Sequence, residues 1–147
     1  IIKNGELKTY LHNTSTAKRH GTETTANAGL ISPEPSNIIL EKGKSSEEAM
    51  LKDIKEGYYI TNLWYTRFNN YSTGDFSTIP RDAAFYVKDG EIKFPVKNIR
   101  ISDNILTILK NIKLIGNNPE QIFGWEVETP VITPAVLVKG IKVSKPE

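Results

Sequence analysis

The sequence predicts an α+β domain: a mainly antiparallel, curved sheet built from hairpins, with two or three helices packed on it. Three observations carry this. Two-residue turn signals, Asn4-Gly5 and Asp89-Gly90, sit between apolar-rich segments. Stretches rich in β-branched and aromatic residues outnumber helical ones, and no regular strand–helix–strand alternation appears. The 147 residues are 38% hydrophobic and 24% charged, the composition of one soluble globular domain, and no linker divides them. At this length folding hides roughly 68–70% of the unfolded chain's surface, so a core needs neither disulfides nor a structural metal.

Taken in order, Asn4-Gly5 joins two strands running to about His12, because both central residues of a type I′ turn need positive φ. A short helix is predicted over Thr14 to His20, ended by Gly21 in the left-handed conformation. A strand follows at Ile38 to Glu41, after a proline-set loop from Ile31 to Asn37. Ser45-Ser46-Glu47-Glu48 reads as a capping box opening a helix with Met50, Leu51, Ile54 and Tyr58 on one stripe and Gly57 at its end. Strands are predicted at Tyr58 to Asn69, Ala84 to Lys88 and Ile92 to Ile101. Asp103 is placed as the cap of a helix whose Ile105, Ile108, Leu109 and Ile112 mark a single buried face. A last strand runs from Ala135 to Ser144, behind a second proline-set loop from Glu128 to Pro134. Lys88-Asp89-Gly90-Glu91-Ile92-Lys93 matches Lys3-Asn4-Gly5-Glu6-Leu7-Lys8 at an offset of 85 residues. The match is either a duplicated unit or two hairpins alike because both turn on Gly-Glu.

Nineteen basic and seventeen acidic residues leave a net charge of +2 without a block of like charge, which gives no push toward nucleic acid. No apolar run is long enough to span a membrane. The chain contains no cysteine, which excludes a disulfide framework, a thiolate ligand and a cysteine nucleophile, and suits a reducing cytoplasm. His12 and His20 are the only imidazoles. Three protein ligands are the minimum for a catalytic zinc, and His20 with Glu23 falls short of that across the helix-breaking Gly21. Thr73-Gly74-Asp75 and Gly116-Asn117-Asn118 are turn formers, not phosphate-cradling loops. The aromatic run Tyr58, Tyr59, Trp64, Tyr65, Phe68 and Tyr71 is expected to fill the core from a central strand, the competing reading being a platform for single-stranded bases. Arg67 and Arg81 flank the polar turn Asn69 to Ser77, where two guanidiniums suit a carboxylate such as a peptide terminus.

The ordered set of segments resembles the carboxy-terminal domain of the TldD/PmbA family. Thr16-Ala17 with Gly21, and Thr24-Thr25-Ala26-Asn27-Ala28, are similar to that family's Thr-Ala-x-x-x-Gly and Ser-Thr-Gly-Asn-Ala, with Ala26 where glycine is usual. Pro35-Ser36-Asn37-Ile38, Leu40-Glu41-Lys42-Gly43, Ser45 to Glu48 and Gly57-Tyr58-Tyr59-Ile60 follow in the family's order. Leu63-Trp64-Tyr65-Thr66-Arg67-Phe68 resembles a PmbA-related branch; Thr73 to Ser77, Asp89 to Ile92, Pro95-Val96 and Ile112 to Gly116 complete the pattern.

The resemblance implies a zinc-dependent peptidase family, also called modulators of DNA gyrase, whose longer chains pair and cleave small peptides. The family's His-Glu-x-x-x-His lies upstream of the matched region, and the TldD-branch cysteine has no counterpart between Asn118 and Pro130. The PmbA-like branch is the better match, and 1–147 is expected to be the carboxy-terminal part of a longer chain. In that setting no zinc is expected in this chain, and the metal belongs to the full-length protein or to a partner. The expected partner is a second copy or a TldD-like chain, and the expected substrate a peptide. The candidate cleft residues are Asn37, Arg67, Thr73, Gly74 and Arg81, with no catalytic or metal-ligating residue. Two other readings stand beside this one: an interaction module that pairs by strand addition, and an enzyme whose ligands lie upstream.

Overall fold

The computed structural model describes residues 1–124 and 126–145. In chain order the elements are β1 (Ile2–Lys3), β2 (Glu6–Leu7), α1 (Thr14–His20), β3 (Ile38–Ile39), α2 (Glu47–Lys52), β4 (Glu56–Ile60), β5 (Leu63–Asn70), β6 (Asp75–Pro80) and β7 (Ala84–Lys88). They continue through β8 (Glu91–Pro95), β9 (Arg100–Asn104), α3 (Ile105–Lys110), β10 (Ile112–Ile115), β11 (Glu120–Ile122), β12 (Val131–Thr133), β13 (Val136–Val138) and β14 (Val143–Ser144). The α+β class with mainly antiparallel strands is the one read from sequence. The contacts cluster into two units, one of Ile1–Leu40 with Gln121–Ile132, the other of Glu41–Glu120 with Thr133–Glu147.

In the first unit, β1 and β2 form the expected hairpin, with Asn4 and Gly5 at φ 52° and 76°, but the second strand ends at Leu7 and not near His12. The hairpin between β7 and β8 turns the same way, with Asp89 and Gly90 at 52° and 77°. A true capping box opens α1: Asn13 Oδ1 accepts from the Thr16 amide at 2.8 Å, while Thr16 Oγ1 accepts from the Asn13 amide at 3.1 Å. Gly21, at φ 63°, closes the helix as expected. Ala26 sits at φ 60°, the left-handed region that a side chain disfavours. β3 pairs with β12 in parallel, matching Ile38 to Val131 and Ile39 to Ile132.

The second unit holds a four-stranded antiparallel sheet ordered β14-β9-β6-β5 and a three-stranded one ordered β4-β7-β8. Along β6 and β9 the inward residues alternate: Phe76 and Thr78 on one strand face Asp103 and Ile101 on the other. With Met50, Ala84, Val87 and Ile99 they make the core. Thr78 and Val87 are fully buried. Asp103 is buried because its carboxylate is used, accepting from the amides of Asn104 and Lys142 at 2.8 and 3.0 Å.

Several expectations are corrected here. The second helix is capped by Ser46, not Ser45, because the Ser45 backbone is already paired with the Gly116 segment, its amide donating to Ile115 and its carbonyl accepting from Asn117. That helix stops at Asp53, and Gly57 lies inside β4. Asn104, not Asp103, caps α3, accepting from the amides of Leu106 and Thr107. The helix has six residues, so Ile112 already belongs to β10; of the predicted face Ile105 and Ile108 are half-buried and Leu109 is exposed, and no residue of the helix is fully buried. The strand predicted over Tyr58 to Asn69 is two strands in different sheets, β4 and β5, and the one over Ile92 to Ile101 is likewise β8 and β9. The aromatic run does not fill a core from a central strand: β5 is an edge strand, and Leu63, Tyr65, Phe68 and Tyr71 are exposed.

Candidate functional site

The site grows from an irregularity in β5. Trp64 opposes Ile79 and Arg67 opposes Ser77, so the edge strand carries one more residue than its partner over this span, a bulge. The extra residue is accommodated with Tyr65 at φ 52°, a conformation rare for an aromatic side chain. Thr78 anchors the bulge from beneath, its hydroxyl donating to the Trp64 carbonyl at 2.9 Å and accepting from the Thr66 hydroxyl at 3.0 Å. The bulge turns Trp64 and Tyr65 toward two guanidiniums. Arg81 lies over the Trp64 ring at 4.5 Å from its centroid and 5.9 Å from that of Tyr65; Arg67 lies 5.8 Å from the Tyr65 centroid.

Arg81 also lines a cleft of about 570 Å³ within the second unit. One side is the connection from β6 to β7, the other the connection from β8 to β9; the Val96 amide, donating to the Ala84 carbonyl at 2.8 Å, ties the two. Phe85, Pro95, Val96 and Ile99 supply apolar lining, while Arg81, Lys97 and Arg100 bring three cations and Asp82 one carboxylate. Asp82 accepts from the Asn62 side-chain amide at 2.8 Å, and Arg100 donates to the Ser77 hydroxyl at 3.0 Å. Among the described residues no acid pairs with Arg81, Lys97 or Arg100. The arrangement suits an anion with an apolar body.

Of the five candidate residues, the structure therefore brings Arg67 and Arg81 together, on the tyrosine of the bulge. Thr73 and Gly74 form the turn at the opposite end of the β5–β6 hairpin, and Asn37 lies in the first unit, just before β3. At that turn Gly74 is at φ 80°, and Asn104 donates to the Thr73 carbonyl at 2.7 Å and to Asp75 at 2.9 Å. Hydrogen bonds from Asn104 and then Thr73 hold the Asp75 carboxyl below its ordinary value of 3.8. A carboxyl depressed on folding stabilises above its unfolded pKa, and that contribution is lost as pH falls through the folded one. Asp75→Asn is thus expected to lower the urea midpoint at pH 6, with the gap to wild type narrowing once the pH drops below about 4. A gap unchanged down to pH 2 would show that Asp75 does not stabilise the turn as a carboxylate. Lys97, Arg100 and Phe85 escaped the sequence reading, since none belongs to a spaced motif; only the meeting of two inter-sheet connections gathers them.

The two histidines lie close, with ring centroids 5.8 Å apart, and His12 Nδ1 is 3.2 Å from the Thr16 hydroxyl. Among the described residues no third His, Cys, Asp or Glu joins them in a group able to hold a metal ion. The residues present do not fit a catalytic zinc.

The comparisons place this α+β domain in a family. The chain belongs to the PmbA/TldD family: residues 1–145 match the family model described as the PmbA/TldA metallopeptidase C-terminal domain. It is 36% identical over 121 residues to the metalloprotease PmbA of Escherichia coli O157:H7, covering 82% of this chain and 25% of that one. A Thermotoga maritima crystal structure, described as a candidate modulator of a DNA gyrase, superposes with a TM-score of 0.85 at 35% identity, covering 97% of this chain and 32% of that one. The TldE structure from Thermococcus kodakarensis gives a TM-score of 0.82 at 25% identity over 97% of this chain and 33% of that one. The chain thus spans a quarter to a third of the length of these relatives. No helix among the described residues is long and apolar enough to cross a membrane.

Proposed function

We propose that this chain is the non-catalytic, cleft-forming part of a cytoplasmic PmbA/TldD-type metallopeptidase acting on small peptides. The hydrolytic zinc then sits in an upstream domain or in a TldD-like partner chain, and the assembly is a homodimer or heterodimer. One observation carries the reading: a match to a metallopeptidase family over residues 1–145 falls on a chain with two imidazoles and no thiol. A metal-activated water needs three protein ligands and an open position, which this inventory does not reach by itself.

The test is zinc content and peptide hydrolysis of the full-length gene product, alone and mixed with a TldD-type chain, for wild type and for His12→Ala/His20→Ala. The double variant is expected to keep its zinc per assembly and its turnover. Stoichiometric loss of both would place the metal on these imidazoles and end the non-catalytic reading. An interaction module without a peptidase role is the second reading, favoured by edge strand β8, where all five residues are exposed, Ile92 at 46% and Phe94 at 54%. Its signature would be a folded assembly without zinc or turnover under either condition.

A further inference from the structure

We propose that the cleft between the β6–β7 and β8–β9 connections captures the free carboxylate of a peptide whose last side chain is apolar. The inference deepens the reading above by naming what its cleft holds. Arg81 is the primary contact. Arg81 Cζ lies over the Trp64 ring at 4.5 Å from its centroid, a cation–π contact that holds the guanidinium at the cleft, where its fork of N–H donors suits two parallel bonds to a carboxylate. Lys97 and Arg100 line the same cleft, and no acid among the described residues neutralises either. Arg100 is steadied by its bond to Ser77 and adds charge from the other connection.

The neutral part of the ligand is defined by the rest of the lining. Phe85, Pro95, Val96 and Ile99 offer apolar surface beside the cations, and about 570 Å³ is a volume of the size that takes one or two residues. The Asp82 carboxylate lowers the cleft's formal charge from three to two and leaves the cations in excess for an anion. A peptide amide offers no charge to Arg81, so the free acid is the form selected.

The experiment titrates the full-length gene product, treated with a chelator to stop turnover, with N-acetyl-Ala-Ala-Leu and with its C-terminal amide by calorimetry at low ionic strength. The acid is expected to bind at least tenfold tighter than the amide. Arg81→Gln is expected to lower acid affinity at least fivefold, and Lys97→Gln by a smaller factor, with amide affinity unmoved. Arg81→Lys, which keeps the charge and loses the fork, should fall between. Both arginine variants are checked by circular dichroism, and the side chain is exposed, so the fold does not depend on it. Equal binding of acid and amide, or wild-type affinity in Arg81→Gln, overturns the inference. Inorganic phosphate displacing the peptide at equal concentration, with no dependence on the terminal side chain, overturns it in favour of a general anion site. Zinc content and hydrolysis, measured in parallel, separate the two failures: lost acid selectivity with normal zinc and turnover sinks this inference alone, whereas loss of zinc and turnover in the histidine variant sinks the reading beneath it.

Discussion

Phe76→Ala is expected to lower the unfolding free energy by about 3–5 kcal/mol. Phe76 lies on β6, which has a paired neighbour on each side, β5 and β9, and it is 6% exposed. Among the described residues it is the one aromatic side chain in the buried core, and its ring meets that of Phe68 at 6.2 Å between centroids. Truncation leaves a cavity that its neighbours cannot easily refill, since Thr78 and Asp103 on the same face are held by their own hydrogen bonds. A domain with a total stability of about 5–15 kcal/mol loses a large fraction of it. Phe94→Ala is the control. Phe94 stacks on Tyr86 at 5.1 Å but is 54% exposed, so its loss is expected to cost no more than about 1 kcal/mol. Urea midpoints of both variants against wild type check the pair, and a Phe76→Ala midpoint as close to wild type as that of Phe94→Ala would mean that β6 is not the centre of the core.

That β6 carries the largest expected effect is instructive, because its sequence hid it. Asp75 to Pro80 reads Asp-Phe-Ser-Thr-Ile-Pro, opening in turn formers and closing in proline, and the inward position after Phe76 is a threonine. A polar residue on the core face defeats the alternation by which a half-buried strand is recognised. Its hydroxyl's bonds, donated to the Trp64 carbonyl and accepted from the Thr66 hydroxyl, explain why threonine belongs there. By contrast, signals that act within a few residues were fully legible: both positive-φ hairpin turns, α1 from its first residue to Gly21, and the start of α2 to within one residue. Where local and distant demands compete, the local reading slipped. Ser45 has the spacing of a cap but spends its backbone on Gly116, and Asp103 gives its carboxylate to Lys142, leaving the cap to Asn104. The site divides in the same way. Arg67 and Arg81 were visible as cations near one hairpin; their shared aromatic platform depends on a bulge whose single extra residue no periodicity announces.

Thr78→Val tests that bulge and joins the fold to the cleft. Valine is close to threonine in shape, but its methyl group is larger than the hydroxyl and meets oxygens now 2.9 and 3.0 Å away, so the substitution removes the hydrogen bonds and crowds the same two groups. The Trp64 carbonyl loses its donor and the Thr66 hydroxyl its acceptor, a change expected to cost about 1–3 kcal/mol. The larger consequence is local. Tyr65 at φ 52° is held against a conformational cost of about 1–3 kcal/mol, and Thr78 is an anchor that opposes its relaxation. Without it the edge strand is free to move Tyr65 toward extended backbone, which carries Trp64 and Tyr65 out from under Arg81. Intrinsic tryptophan fluorescence is therefore expected to shift in folded Thr78→Val, and affinity for the acid peptide to fall although the substitution touches no lining residue of the cleft. Thr78→Ser separates the two effects. It keeps the hydroxyl and loses a methyl group, so it is expected to lower the urea midpoint while leaving the fluorescence and the acid selectivity at wild-type values. If serine and valine at 78 disturb the fluorescence equally, packing and not the hydrogen bond positions the platform, and Arg81 owes its orientation to the core beneath it.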